Sequence, residues 1–440
     1  MADPTGGTFG SVSDAPLAGT TVVDLSLGVA GPFAASRLGD LGARVIKVEP
    51  IAGDPARGFG PPFLRGADDT DDGVNGTGGT DGADDGEGDA ATFVALNRGK
   101  VGLAVDLDAP DGVALVRRLL ERADVVVADL GPGRAEALGL GYDDLAAPNP
   151  GLVYVAVSAW GEEGPLADLP GAELPVQAMA EYLGSLGRIG EPPVRLGADV
   201  SGLNTGIFAC QAALGGLVAR DVGGEVGGLG RGQRVAVSML GSLLHLRGIM
   251  WTARSNPDEW WGFHLDHYTN PPETGYRTAD GQVLFGLRRG NSEDFDQLMI
   301  SLGLVEHITD PAFGGFGRDA APLGRHSVEA KPIWEEGFAE RTTEEVVDLF
   351  HERGGDAVPF TDYPLITTHA QTEAIGALCD VPLPDGGSMR GVSPVWGFSE
   401  TPAGVQGPAP RLGQHTDQLL AELGVEPSAV AALRARRIVA

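Results

Sequence analysis

GTTVVDLSLGVAGPFAASRLGDLGARVIKVEP, residues 19–50, reads as strand, turn, helix, strand. The apolar pair Val22-Val23 runs into Asp24, and the chain turns through Gly28-Val29-Ala30-Gly31-Pro32. An Ala/Leu-patterned helix follows until Gly39 and Gly42 stop it, and Val45-Ile46-Lys47-Val48 closes a βαβ unit. Open α/β sheets bind ligands at the carboxyl ends of their strands, and a helix that starts there favours anionic groups. The turn therefore suits a nucleotide-like ligand. Its glycines do not follow GxGxxG, so spacing alone names no dinucleotide, and Gly28 and Gly31 serving only the turn is an equally good reading.

The alternation continues. A strand at 102–105 precedes a helix over 110–122 that has proline in its first turn, and Val125-Val126-Val127-Ala128 runs into Asp129-Leu130-Gly131. Another strand at 152–158 is followed by a helix near 175–186, a long apolar helix at about 202–220, a strand at 234–238 and a helix over 240–253. This pattern predicts a parallel, doubly wound sheet. From residue 256 the composition shifts to aromatic residues punctuated by Pro and Gly. The expected organisation is a large domain over 15–254 and 386–440 and a smaller α+β domain over 255–385, with helices at 292–302 and 343–351. The last helix, beginning near 415, is expected to dock back on the first lobe, with His415 and Asp417 capping it. Residues 66–90 carry nine acidic side chains and almost nothing apolar, which predicts a disordered surface insertion.

Composition limits the function. The 440 residues carry a net charge of −30, which opposes nucleic-acid binding, since that needs a basic footprint to displace phosphate counterions. Apolar residues make up 42%, no apolar run reaches the ~18 residues of a membrane span, and the N-terminus lacks the basic start and apolar centre of a signal peptide. A cytoplasmic protein is expected. Cys210 and Cys379 are too few for a disulfide framework or a cysteine metal site. The three lysines, Lys47, Lys100 and Lys331, fit either a salt-rich cytoplasm or a GC-rich genome.

Few constellations carry chemistry. His264-Leu265-Asp266-His267 lacks a distant fourth ligand and reads as a packed loop beside Trp260, Trp261 and Tyr268, so no metal is expected. Neither GxSxG nor GxxxxGK[ST] occurs. Asp199, in Leu196-Gly197-Ala198-Asp199-Val200-Ser201-Gly202, sits among small residues just before a long helix. Two readings are open for it: a ligand-facing acid, or a cap of that helix.

Several segments together resemble the family III CoA-transferases, the CaiB/BaiF family. They are the opening βαβ unit with its Ala-Gly-Pro turn and Lys47-Val48-Glu49-Pro50, Leu96-Asn97-Arg98-Gly99-Lys100 with Val105-Asp106-Leu107, and Gly131-Pro132-Gly133 before Leu138-Gly139-Leu140. Gly161 to Pro165, Val176-Gln177-Ala178-Met179-Ala180, Gly230 to Val235 and Pro408 to Asp417 complete the likeness, which spans nearly the whole chain outside the acidic insertion. The resemblance implies an interlocked homodimer, each chain having a Rossmann-like large domain completed by both termini and a small middle domain. It implies transfer of CoA from an acyl-CoA to a free carboxylic acid, with Asp199 as the carboxylate that forms an acyl anhydride and then an aspartyl-CoA thioester. CoA enters as substrate and no permanently bound cofactor is implied. Gly28, Val29, Ala30, Asn97, Arg98, Lys100, Asp129, Leu130 and Gly131 are implied to hold it. Ala137 stands where family members often have an arginine and Pro50 where a basic residue is common, which leaves Arg98 and Lys100 as implied phosphate partners and Arg134 as a substitute. The racemases of the same family pair their carboxylate with histidine in Gly-His-Asp. Here the residues are Gly171-Ala172-Glu173, which disfavours racemisation unless Glu173 supplies a base. A catalytically idle CoA-binding paralogue is the remaining alternative.

Overall fold

A computed structural model describes residues 14–59, 89–184, 190–221, 229–252, 275–286, 292–313, 329–353, 355–384 and 386–440. The acidic stretch 66–88 and the segment holding Trp260, Trp261, His264, His267 and Tyr268 lie outside the described residues, as do Arg288 and Arg289.

The chain folds as two compact units, one comprising 1–182, 195–257 and 375–440, the other 183–194 and 258–374. In the first unit β1 (Thr21–Ser26), α1 (Ala30–Asp40) and β2 (Arg44–Glu49) form the opening βαβ. They are followed by α2 (Ala91–Asn97), β3 (Val101–Ala104), α3 (Pro110–Leu120), β4 (Val125–Asp129), α4 (Arg134–Ala137), α5 (Tyr142–Leu145) and β5 (Val153–Ser158). Then come α6 (Glu173–Met179), α7 (Val200–Asp221), β6 (Arg234–Ser238) and α8 (Met239–Thr252). Six strands pair in the order β3-β2-β1-β4-β5-β6, all parallel. That is the doubly wound order, and its reversal point lies between β1 and β4, where Ser26 is in register with Asp129.

Alternation along each strand sends side chains to two cores. Val23, Leu25, Val126, Ala128 and Tyr154 face one side with α3, while Val22, Val125, Val127, Val153 and Val155 face the other with α1 and α7. Both faces are covered, as a parallel sheet requires. The 22-residue α7 is long and apolar enough by length and composition to cross a membrane, because its Ser, Asn, Thr and Gln are averaged with many apolar neighbours. It packs Ala209, Cys210, Ala213 and Leu217 into the second of these cores instead.

In the second unit β7 (Tyr276–Arg277), β8 (Gln282–Gly286) and β9 (Asp356–Pro359) form an antiparallel sheet with α9 (Ser292–Leu302), α10 (Lys331–Phe338), α11 (Thr343–Glu352), α12 (Tyr363–Thr368) and α13 (Ala370–Ala374). Trp334, Phe285, Phe295, Phe313, Phe338 and Phe350 fill its interior with mostly edge-to-face ring contacts. Thr342 and Glu345 close a reciprocal capping box at the start of α11.

The expected domain end at 385 is corrected by the hairpin β10 (Leu378–Pro382) and β11 (Ser388–Val392), which belongs to the first unit because Val381 and Met389 pack on Phe93, Val94 and Ala56. Finally α14 (Thr416–Glu422) and α15 (Pro427–Ala435) return to the sheet. Leu419 and Leu420 are fully buried in the α3 core, and Val439 bridges to Val105. His415 does not cap α14: its Nδ1 accepts the Gly102 N–H at 3.0 Å, pinning the helix start to β3.

Candidate functional site

The fold brings the turn Gly28-Val29-Ala30 and the strand end Asp129-Leu130-Gly131 to neighbouring strands at the sheet's reversal point. Gly28 adopts φ +75°, which the turn into α1 requires and which other residues rarely adopt. Two clefts open at these carboxyl ends and share Asp129 and Leu130. The smaller, about 220 Å³, is lined by Leu27, Glu49, Pro50, Asp106 and Arg134 among others. The larger, about 590 Å³, runs past Gly131 and Gly161 to Asp168, Leu169, Pro170 and Gly171.

Beneath the turn lies a buried charge cluster. Lys47 Nζ donates to Asp54 Oδ2 at 2.7 Å and to the Ser26 carbonyl at 2.6 Å, and Asp54 Oδ1 in turn accepts the Gly28 N–H at 3.0 Å. Lys100 Nζ donates to Asp24 Oδ2 at 2.8 Å, to Asn97 Oδ1 at 2.8 Å and to the Pro32 carbonyl at 2.9 Å. Burial pushes the Asp24 carboxyl up, but Lys100 and Lys47 outweigh it and hold the group below its ordinary value. Burial lowers Lys100 to about 8 against the pull of Asp24.

These contacts correct the phosphate role implied for Arg98 and Lys100. All three hydrogen bonds of the Lys100 ammonium are made inside the protein, and Arg98, 5% exposed, donates to Asp40 Oδ2 at 3.0 Å and to the Val392 carbonyl at 2.6 Å. Asn97 is fully buried and donates to the Phe93 carbonyl. A guanidinium and an ammonium shut away with carboxylates reinforce the frame, and their side chains do not face either cleft. Arg134 does line the smaller cleft, half exposed and paired with Asp108 at 2.9 Å.

Asp129 is half-buried where the clefts meet. Its carboxyl is raised to about 6, first by burial and then by the Asp24 carboxylate, with Lys47 offsetting part of the effect.

Asp199 precedes α7, and its side chain does not cap it. The carboxylate is 38% exposed and pairs only with Arg195, at 3.2 Å, among the described residues. The cap is Glu173, the first residue of α6. Its Oε1 accepts the Ser201 N–H at 2.7 Å and the Gln177 Nε2–H at 2.6 Å, and its Oε2 accepts the Gly202 N–H at 2.9 Å. These are two backbone donors in the first turn of a 22-residue helix, which lack partners within the helix. Gly202 also touches the opening turn: a Cβ at this position would lie 2.8 Å from Val29 Cγ1 and 3.5 Å from Glu173 Oε2. Glu173 thus adjoins the β1–α1 turn through Gly202, and two residues upstream Gly171 lines the larger cleft. Neither Asp199 nor Glu173 itself lines either cleft. Sequence reading gives Glu173 only as a possible base, because the partners that make it the cap of α7 come 28 and 29 residues later. The signal was an acid at the first turn of α6 four residues before Gln177. Among the described residues no group of three or more His, Cys, Asp or Glu is placed to hold a metal.

Comparison with known proteins places this geometry. Residues 17–416 match the family model of CoA-transferase family III. An acyl-CoA transferase of Fusarium pseudograminearum is 32% identical over 427 residues, covering 96% of this chain and 88% of that protein. A succinate–glutarate CoA-transferase of Agrobacterium fabrum is 30% identical over 413 residues, covering 93% and 96%. The crystal structure of a CAIB/BAIF family protein from Brucella suis superposes with a TM-score of 0.76 at 27% identity, covering 93% of this chain and 100% of that one.

Proposed function

The chain belongs to CoA-transferase family III and is a transferase of that class, and from this premise we propose that it moves CoA from an acyl-CoA thioester to a free carboxylic acid through covalent intermediates on Glu173. The carboxylate attacks the thioester carbonyl and the C–S bond breaks, giving a mixed anhydride and CoA thiolate. The thiolate attacks the enzyme's carboxyl carbon, releasing the donor acid and leaving an enzyme-bound CoA thioester. The acceptor carboxylate then attacks that thioester, and the freed thiolate takes up the new acyl group. Each step passes through an oxyanion on the glutamyl carboxyl or the acyl carbonyl, and the Ser201 and Gly202 N–H groups stand where the carboxyl oxygens lie.

The observation that carries this reading is the position of Glu173, held by the Ser201 and Gly202 N–H groups beside the β1–α1 turn and two residues after Gly171, which lines the larger cleft. Gly28, Val29, Ala30, Asp129, Leu130 and Gly131 would bound the CoA platform, with Arg134 as the cation for phosphate and Asn97, Arg98 and Lys100 as its buried frame. Asp199 is the second candidate for the covalent residue, favoured by a carboxylate that, among the described residues, pairs with Arg195 and no backbone N–H. A homodimer, which the resemblance drawn from sequence implies, completes the reading.

The test is trapping. Wild-type protein, Glu173→Gln and Asp199→Asn are incubated with acyl-CoA, treated with hydroxylamine and mapped by mass spectrometry. A hydroxamate on Glu173 supports the proposal, one on Asp199 supports the second candidate, and α-hydrogen exchange with neither residue modified points to the racemase alternative. CoA binding with no adduct and no exchange leaves the idle paralogue.

A further inference from the structure

We infer that Gln177 is the positioning residue for the Glu173 carboxylate, an inference that rests on the reading of Glu173 as the covalent residue. Gln177 lies one helical turn after Glu173 and is fully buried, and its Nε2 donates to Glu173 Oε1 at 2.6 Å. The same Nε2 reaches the Ala198 carbonyl at 3.4 Å, tying the Asp199-bearing loop to the same point. Its Oε1 is buried and finds no donor among the described residues. A buried amide with one end unpaired is a poor stabilising element, because the unpaired acceptor keeps its desolvation cost. An apolar side chain of equal size would fill the space better, so what the amide adds is its bond to Glu173.

That bond has a consequence for reactivity. Glu173 is only half-buried, and a glutamate has one more rotatable bond than an aspartate, so reach and aim have to be fixed from outside. Ser201 and Gly202 hold one oxygen each, which leaves the plane of the carboxylate free to rock. The third donor, from within α6, fixes the plane and leaves the remaining lone pairs of Oε2 for attack.

The test compares Gln177→Met, which keeps volume and removes the donor, with Gln177→Glu, which restores a donor only when protonated. For each variant kcat and KM for acyl-CoA are measured across pH, with the rate of hydroxamate formation on Glu173 and the Tm. The expected result for Gln177→Met is a fall in kcat and in trapping rate of tenfold or more, with KM for acyl-CoA within a factor of about two. Gln177→Glu recovers part of the loss as pH falls and its own carboxyl becomes a donor. Unchanged kcat and trapping rate in folded Gln177→Met overturns the inference, as does a Tm loss with no kinetic change. Absence of any Glu173 adduct in the wild-type protein defeats the underlying reading instead, so the two failures are distinct.

Discussion

Val29 and Gly202, 173 residues apart in sequence, meet so closely that a methyl group on residue 202 would stand 2.8 Å from Val29 Cγ1. The turn after β1 and the first turn of α7 are thereby locked at a spacing that glycine alone permits. Gly202→Ala is expected to destabilise the protein by about 1–3 kcal/mol, the usual range for forcing an extra methyl into a packed contact. It should also slow modification of Glu173 by acyl-CoA, since Glu173 Oε2 lies 3.5 Å from the same methyl position. Denaturant unfolding and the trapping assay measure the two effects.

Asp129 supplies a pH test. Its carboxyl is raised from 3.8 to about 6, first by burial and next by Asp24, so the folded protein holds this proton more tightly than the unfolded chain. The stabilising contribution is full below pH 3.8 and is lost as pH rises through 6. Asp129→Asn removes that dependence, so the variant should gain stability relative to wild type as pH rises from 4 to 7. Under the CoA reading, wild-type affinity for CoA should strengthen as pH falls through 6 while Asp129→Asn stays flat. Calorimetric titration at several pH values decides both.

Lys100 makes the opposite case. The folded lysine releases its proton near pH 8, because burial opposes the cation, and the unfolded one near 10.5. Below pH 8 the folded state carries the full cost of burying the charge, and the contribution of Lys100 improves as pH rises from 8 to 10.5. Lys100→Met leaves Asp24 with Lys47 at 3.8 Å as its remaining cation and should destabilise by about 3 kcal/mol at pH 7. The gap between wild type and variant should widen above pH 8, as followed by urea midpoints.

Leu420 tests the returning C-terminus. It is fully buried in the α3 core, and Leu420→Ala should lower stability by about 2–5 kcal/mol through lost burial and the cavity left behind. A loss below 1 kcal/mol in thermal or denaturant unfolding would mean that α14 is only loosely attached.

Elements whose pattern is local were legible in the sequence. The opening βαβ follows from two apolar runs and a glycine turn. The helix at 292–302 has the bounds expected of it, and α7 starts two residues before its expected position. The site was legible only in part. Lys100 is a phosphate partner by the family resemblance, since Ala137 and Pro50 stand where basic residues are common. Its burial depends on Asp24, 76 residues away, and on the Pro32 carbonyl, neither of which any local pattern reveals. Asp199 drew attention because it stands at the helix start, yet the backbone donors there turn toward an acid on another helix. Helix α6 was expected near 175–186 and ends at Met179, where Ala180 and the left-handed Glu181 break it. The expected boundary at 385 splits the hairpin at 378–392 between the two domains, because its contacts with Phe93 join positions almost 300 residues apart.

The bridge between Val105 and Val439 joins a strand to residues made 334 positions after it. At about 5–20 residues per second a ribosome needs roughly 17–67 s to travel between them. Until Val439 emerges the edge beside β3 lacks that partner, although the residues of 258–374 precede it on the emerging chain. A product stalled or truncated before Val439 therefore presents an open sheet margin to the cell, and the emergence of Val439 is the event that closes it.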